Sequence, residues 1–242
     1  MKTLTALATL PAGALHRVRR CVLSCLLLCA TAAGWAQAAA LPAVVVWDFD
    51  NQTPGALSAG GADFLKRSLS ENLTSTLLQV AGLPVVERQR LKDLLAEQKL
   101  AAGALADEDS RLKLGKIVGA QRMVFGGFFV LGDEVQVHVR VVDTASSRVL
   151  FSDETTALVP AVMQQVAPMN RRLAQALGGS AATGTRSHPP ELWQAYDQAL
   201  ALADAGQIDA AIQALQALLA RDKDFTPAER QLVALLDKMA RR

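Results

Sequence analysis

Beyond residue 38 this sequence has no cysteine: Cys21, Cys25 and Cys29 account for all three. They fall in a segment that reads as a secretory signal. Lys2, Arg17, Arg19 and Arg20 form a basic head, Cys21 to Ala33 a short apolar run, and Ala36-Gln37-Ala38 a small-x-small cleavage site. Cleavage is expected before Ala39. The chain beyond that site has no thiol for disulfides, Cys-zinc sites or cysteine nucleophiles. The apolar run is too short to span a membrane, and no later run is long enough to do so as a helix. A lipobox is lacking too. Only Cys21 to Leu23 separate Ser24-Cys25 from Arg20, and Leu28-Cys29 has the wrong residue before the thiol.

An excess of either charge is also missing. The signal holds four of the 25 Lys and Arg and no acid, which leaves 21 basic against 23 acidic residues. Such a balance gives no reason to expect a nucleic-acid partner. There is no serine elbow, P-loop or dinucleotide fingerprint. His138 and His188 lie far from each other and from any Cys, so neither a metal site nor a cofactor is expected.

What is present is organised around Ala43 to Trp47, five apolar residues in a row that run into the polar turn Asp48-Phe49-Asp50-Asn51-Gln52-Thr53. This pattern suits a central strand covered on both faces. Gln52 to Gly61 is a loop. A helix follows to about Val80, with Leu65, Leu69, Leu73 and Leu77 as its apolar stripe. Leu83 to Val86 is a short strand, Arg88 to Gln98 a second helix, and a third, capped by Asp107 or Asp109, stops at Gly119. The period then changes from helix to strand. Met123 to Leu131, the alternating Val135, Val137, Val139 and Val141, and Arg148 to Thr156 form a meander turning at Gly132-Asp133 and at Thr144 to Ser147. Val159 to Leu177 is a helix carrying Pro168.

The expected fold class is α/β, or in narrower terms α+β with a mixed sheet: βαβαα, a three-strand meander and a helix, plus a small all-α hairpin region. The segments are a signal peptide at 1–38, an α/β domain at 39–177, a linker at 178–190 and a helical tail at 191–242. In the tail, Gly206-Gln207 turns the chain, and Ala211, Leu215 and Leu218 are spaced as in a tetratricopeptide hairpin. A third helix, Thr226 to Met239, closes it, and the whole packs on the main domain or on a partner.

Asp48 and Asp50 at a strand end fit one enzymatic reading, a magnesium-dependent phosphatase of the haloacid-dehalogenase type. There the first aspartate attacks phosphorus and the second handles the proton. That pattern wants a Thr where Gln52 stands, and a later acidic pair where Val142-Asp143-Thr144 offers one acid. The alternative is turn chemistry by Asp48 and Asn51. Gly126-Gly127 inside a strand indicates a bulge or close packing. Glu87-Arg88 and Arg90 read as a charged helix start. Asn51-Gln52-Thr53 and Asn72-Leu73-Thr74 are glycan acceptors by spelling only.

Taken together, several blocks resemble the CsgG family of curli production assembly/transport proteins. Asp48-Phe49, Asn51 and Thr53 match its D-F-x-N-x-T. Val85-Val86-Glu87-Arg88 with Leu91 match V-V-E-R-x-x-L, and Glu97-Gln98 the E-Q after it. Leu114-Gly115-Lys116 with Gly119-Ala120 match L-G-K-x-x-G-A, and Val139 to Asp143 with Arg148-Val149 look like its strand-turn-strand ending. The blocks run in family order from about Leu41 to Leu177. The resemblance implies a mixed sheet packed with helices. It also implies a non-enzymatic periplasmic or outer-membrane-associated protein, oligomeric, working with envelope proteins in assembly, transport or curli-type secretion. Asp48, Phe49, Asn51, Thr53, Glu87, Arg88, Gly115 and Gly119 are its signature residues, with a structural role. The curli channel itself is a lipoprotein with long membrane hairpins, and this chain has neither a lipobox nor a spare strand pair. A regulator of a peptidoglycan synthase, like the outer-membrane activators of penicillin-binding proteins, is the alternative.

Overall fold

The computed structural model describes residues 41–54, 62–86, 91, 108–179 and 187–241. All of them belong to one compact unit, Ala40–Arg242. The expected signal segment, Glu87, Arg88, Glu97, Gln98 and most of the expected second helix lie outside the described residues.

The first strand is β1, Val44–Val46, followed after a gap by β2, Asp50–Asn51. A short 3-10 turn, Ala62–Phe64, leads into α1, Leu65–Leu77. Then come β3, Val85–Val86, and α2, Glu108–Ile117. The meander is β4, Arg122–Leu131, β5, Glu134–Asp143, and β6, Val149–Leu158. A 3-10 turn joins it to α3, Val162–Ala176, and the tail is α4, Pro190–Asp204, α5, Ile208–Arg221, and α6, Thr226–Ala240. Pro168 lies inside α3 without ending it.

The sheet order is β3-β1-β4-β5-β6, with β2 also paired to β4. β3, β1, β2 and β4 run parallel, while β4, β5 and β6 are antiparallel, so the sheet is mixed as expected. Side-chain alternation divides the core in two. Val44, Val124, Phe128 and the four alternating valines of β5 meet α1 and α3 on one face. Val45, Trp47, Met123, Phe125 and Val142 meet Leu91 and α2 on the other. The leucine stripe of α1 is wholly buried, Leu65, Leu73 and Leu77 at 0% exposure.

The tail shares the first of these cores. Trp193, Tyr196 and Phe225 are buried in the same cluster as α1 and α3. Ion pairs tie it to α1: Arg67 to Asp197 and Asp204, and Glu71 to Arg230. Of the two locations open to the tail from sequence, this is the main domain.

Among the described residues β6 is an edge strand. Leu131 and Glu134 flank a two-residue turn, and hydrogen-bond alternation from that pair turns the N–H of Glu154 away from β5. That outward N–H donates to Oδ1 of Asp153 at 2.9 Å, and Oδ2 of the same carboxylate accepts from Nε of Arg172 on α3 at 2.7 Å.

Candidate functional site

The polar residues after β1 form a joint between the sheet and the start of α1. Ladder pairing lapses between Val46 and Asp50, and Phe49 turns into the α1 side of the core although Trp47 faces the α2 side. The Phe49 N–H donates to the carbonyl of Lys66 at 2.9 Å. Asp48 accepts from the Ser70 hydroxyl of α1 at 3.3 Å. Asn51 works in both directions: Nδ2 donates to Asp63 at 2.9 Å, and Oδ1 accepts the Thr53 N–H at 3.0 Å. Thr53 Oγ1 then accepts the Val130 N–H at 3.0 Å, extending the pairing with β4 by one side-chain bond. The turn chemistry expected of Asn51 is present, while Asp48 reaches a side chain of α1.

The hydrogen bond from Asn51, with Lys66 beside it, holds the Asp63 carboxyl below its ordinary range. Asn51→Ala removes an acceptor from Thr53 and a donor from Asp63. It is expected to lower stability by about 1 kcal/mol and to raise the pH at which Asp63 titrates by NMR. An unmoved Asp63 titration with an unchanged melting point would contradict this role.

The glycines of the signature are steric. A Cβ on Gly115 would lie 2.1 Å from Sδ of Met123, so the glycine lets α2 rest on β4. Gly119 has φ +74° and ends α2, with the Ala120 N–H returning to the Gly115 carbonyl at 2.9 Å. Gly126 and Gly127, singled out as bulge or close packing, are close packing. The β4–β5 register runs through them unbroken, the Phe49 ring covers Gly126, and His138 with Gln52 covers Gly127.

Asp50 points away from Asp48. It takes both Nη atoms of Arg111 on α2, each at 3.0 Å. Beside it Glu108 of α2 pairs with Arg140 of β5. The two guanidinium groups lie over Trp47 and Phe125, at 5.9 and 5.7 Å from the ring centroids. These groups, with Gln52 and His138, line a cleft of about 270 Å³ where α2 starts on the sheet. Sequence reasoning singled out neither Glu108, Arg111 nor Arg140, and their spacing carries no signal before α2 is placed. Its two ion pairs, Arg111 with Asp50 and Glu108 with Arg140, tie α2 to β2 and β5. The phosphatase arrangement needs Asp48 and Asp50 to converge on one phosphate, and here they bond helices on opposite faces of the sheet, Ser70 of α1 and Arg111 of α2. Among the described residues no three His, Asp or Glu side chains are grouped to hold a metal.

Burial, and secondarily Arg140, lowers the pKa of His138 below its ordinary value of 6.5, although Glu154 and Asp50 pull the other way. The fold therefore favours the neutral ring. The stability this contributes is complete above pH 6.5 and declines as pH falls through and below that value. The denaturation midpoint is expected to drop between pH 7.5 and 5.5, and less so in His138→Gln. Equal drops in the two proteins would remove His138 from the account.

No curated protein matches the chain significantly. Partial likenesses exist among solved structures. The C-terminal domain of LpoB from Salmonella enterica is 15% identical, with 51% of this chain and 87% of that one covered and a TM-score of 0.41. Lipoprotein GNA1162 from Neisseria meningitidis is 14% identical, with 57% and 94% covered and a TM-score of 0.40. A PelC dodecamer from Paraburkholderia phytofirmans is 13% identical, with 58% and 89% covered and a TM-score of 0.35. The family comparison covers β1 to β4 and leaves the blocks in β5 and β6 outside it: residues 30–132 match the family described as curli production assembly/transport component CsgG.

Proposed function

We propose that the protein is an exported, non-enzymatic CsgG-like accessory factor. It works as a homo-oligomer with other envelope proteins in assembly or transport, in the periplasm and against the outer membrane without a spanning segment. The observation that carries this reading is the joint after β1. Within the matched span, each described signature residue has a definite structural task, which supports a structural rather than a catalytic reading of the signature. No helix among the described residues is long and apolar enough to cross a membrane. Large apolar side chains stand exposed at both ends of β6, Val149 and Leu150 at one and Leu158 at the other, where Glu134 separates it from the exposed Leu131 of β4, and they supply surface for subunit contact.

The test is mass photometry of the chain beginning at Ala39, together with cross-linking in the periplasm of the source cell. A defined multimer and a reproducible envelope partner are expected. A strict monomer that cross-links to nothing would count against the reading. Magnesium-dependent hydrolysis of p-nitrophenyl phosphate, lost in Asp48→Asn, would overturn its non-enzymatic part.

A further inference from the structure

The last helix of the tail is apolar on two faces. On the inner face of α6, Ala228 and Leu235 are buried in the core shared with α1 and α3. On the outer face Val233, Leu236 and Met239 are 53, 46 and 44% exposed. Glu229, Val233, Leu236 and Ala240 are all exposed and recur at intervals of four, three and four. That alternation is the seam spacing of a coiled coil, which keeps one line of side chains turned toward a partner helix. Leu232 and Met239, one heptad apart, border the seam on one side. Where helical hairpins stack, the last helix needs a polar outer face because no neighbour covers it. In α6 the middle of that face is apolar, as in a helix with a neighbour.

The charges at the ends of the seam select the occupant and its direction. Glu229 lies in the first turn of α6, Arg241 caps its end, and both are exposed. Asp237 flanks the seam and Lys238 is half-buried, so neither enters it. A parallel second copy would oppose Glu229 to Glu229 and Arg241 to Arg241. An antiparallel copy, centred between Val233 and Leu236, sets Val233 against Leu236 and brings Glu229 against Ala240 and the neighbouring Arg241. A two-fold axis makes each of these contacts twice, and the helix dipoles then lie with opposite ends side by side. We propose that the outer face of α6 binds the same face of a second copy in this antiparallel arrangement. The proposal deepens the reading of the chain as a homo-oligomer, since it names a contact in the tail, beyond the matched span. From Glu229 to Ala240 the seam is about 16 Å long, so it is a short contact that holds weakly on its own.

The chain from Ala39 onward has no thiol of its own, which leaves introduced cysteines without competitors. Glu229→Cys and Ala240→Cys are made separately in that chain, mixed at high concentration and oxidised mildly. Antiparallel pairing sets these two positions side by side, within the roughly 7 Å between Cα atoms that a disulfide bridges. It keeps like positions about 16 Å apart. The mixture is expected to form a disulfide-linked dimer about tenfold faster than either variant alone, through the raised effective concentration of the paired thiols. Adding Leu236→Lys to both variants is expected to abolish that advantage while the melting point holds, because Leu236 is exposed. Linking no faster in the mixture, or Glu229→Cys linking chiefly to itself, overturns the proposal, even where mass photometry finds a multimer built on other surfaces. Selective linking in a chain that mass photometry finds monomeric supports the seam while the reading as a defined multimer fails, so the two are told apart.

Discussion

Phe225→Ala is expected to be the most damaging single truncation, with a loss of about 3–5 kcal/mol. Phe225 is fully buried and is the hub of the tail. His188 and Trp193 each meet it edge-on at 4.9 Å between centroids, and Tyr196 does so at 5.5 Å. Such ring pairs add roughly 0.5–1.5 kcal/mol each beyond their burial. A unit of three short helices has only a few kcal/mol of its own, so this loss removes most of it. Two of the three tryptophans lie among the described residues and report separately in the chain begun at Ala39: Trp193 on the tail and Trp47 on the α2 face of the sheet. The variant should lose the native Trp193 emission at much lower denaturant, with the Trp47 signal less affected. A Trp193 transition at the parent midpoint would show that the ring cluster does not hold the tail.

The second large effect is expected at Gly126. A Cβ there would sit 2.3–2.5 Å from three atoms of the Phe49 ring. The ring is rigid and 2% exposed, so it has no free space to move into. Overpacking of this kind costs about 1–3 kcal/mol and occasionally more, and Gly126→Ala should fall at the upper end because the backbone of β4 is held on both sides. The same substitution in a Phe49→Leu background should cost markedly less, since the branched chain vacates the ring edge. Equal costs in both backgrounds, measured by denaturant unfolding, would mean that the glycine serves some other purpose.

The parts of the fold that were legible are those in which one face is buried and the other wet. β5 shows this most clearly: Val135, Val137, Val139 and Val141 are buried and Gln136 is exposed. The leucine stripe of α1 was equally plain. The opposite side of α1 was not. Arg67, Glu71 and Ser75 recur every fourth residue and look like a solvated face, yet the tail covers them, and Glu71 is 9% exposed. Nothing local marks such a stripe as buried, because its partners lie more than 120 residues away in sequence, as in Arg67 with Asp197.

The candidate site was half legible for a related reason. A continuous strand would put Asp48 and Asp50 on one face, as the catalytic reading needs. The lapse in pairing after Val46 breaks that parity, and Phe49 then packs over Gly126 in the core on the α1 side. His188 was misleading in the same way. The Gly/Ser/Thr/Pro-rich stretch around it reads as a linker, but His188 is only 8% exposed and bonds Asp222 across the tail. The limits of the expected segments, including 178–190 as a linker, remain a proposal.

The exposed border of the sheet has a bearing on self-association. A ten-residue strand with one open side is a template on which another strand adds, the first step toward a cross-β stack. In β6 the central outward donor is already occupied by the carboxylate of the preceding residue, which α3 holds in place through Arg172. An arriving strand finds that hydrogen already taken and meets the exposed Glu154 carboxylate beside the Asp153–Arg172 ion pair. Edge addition at the middle of β6 must therefore first displace a carboxylate that belongs to the strand itself.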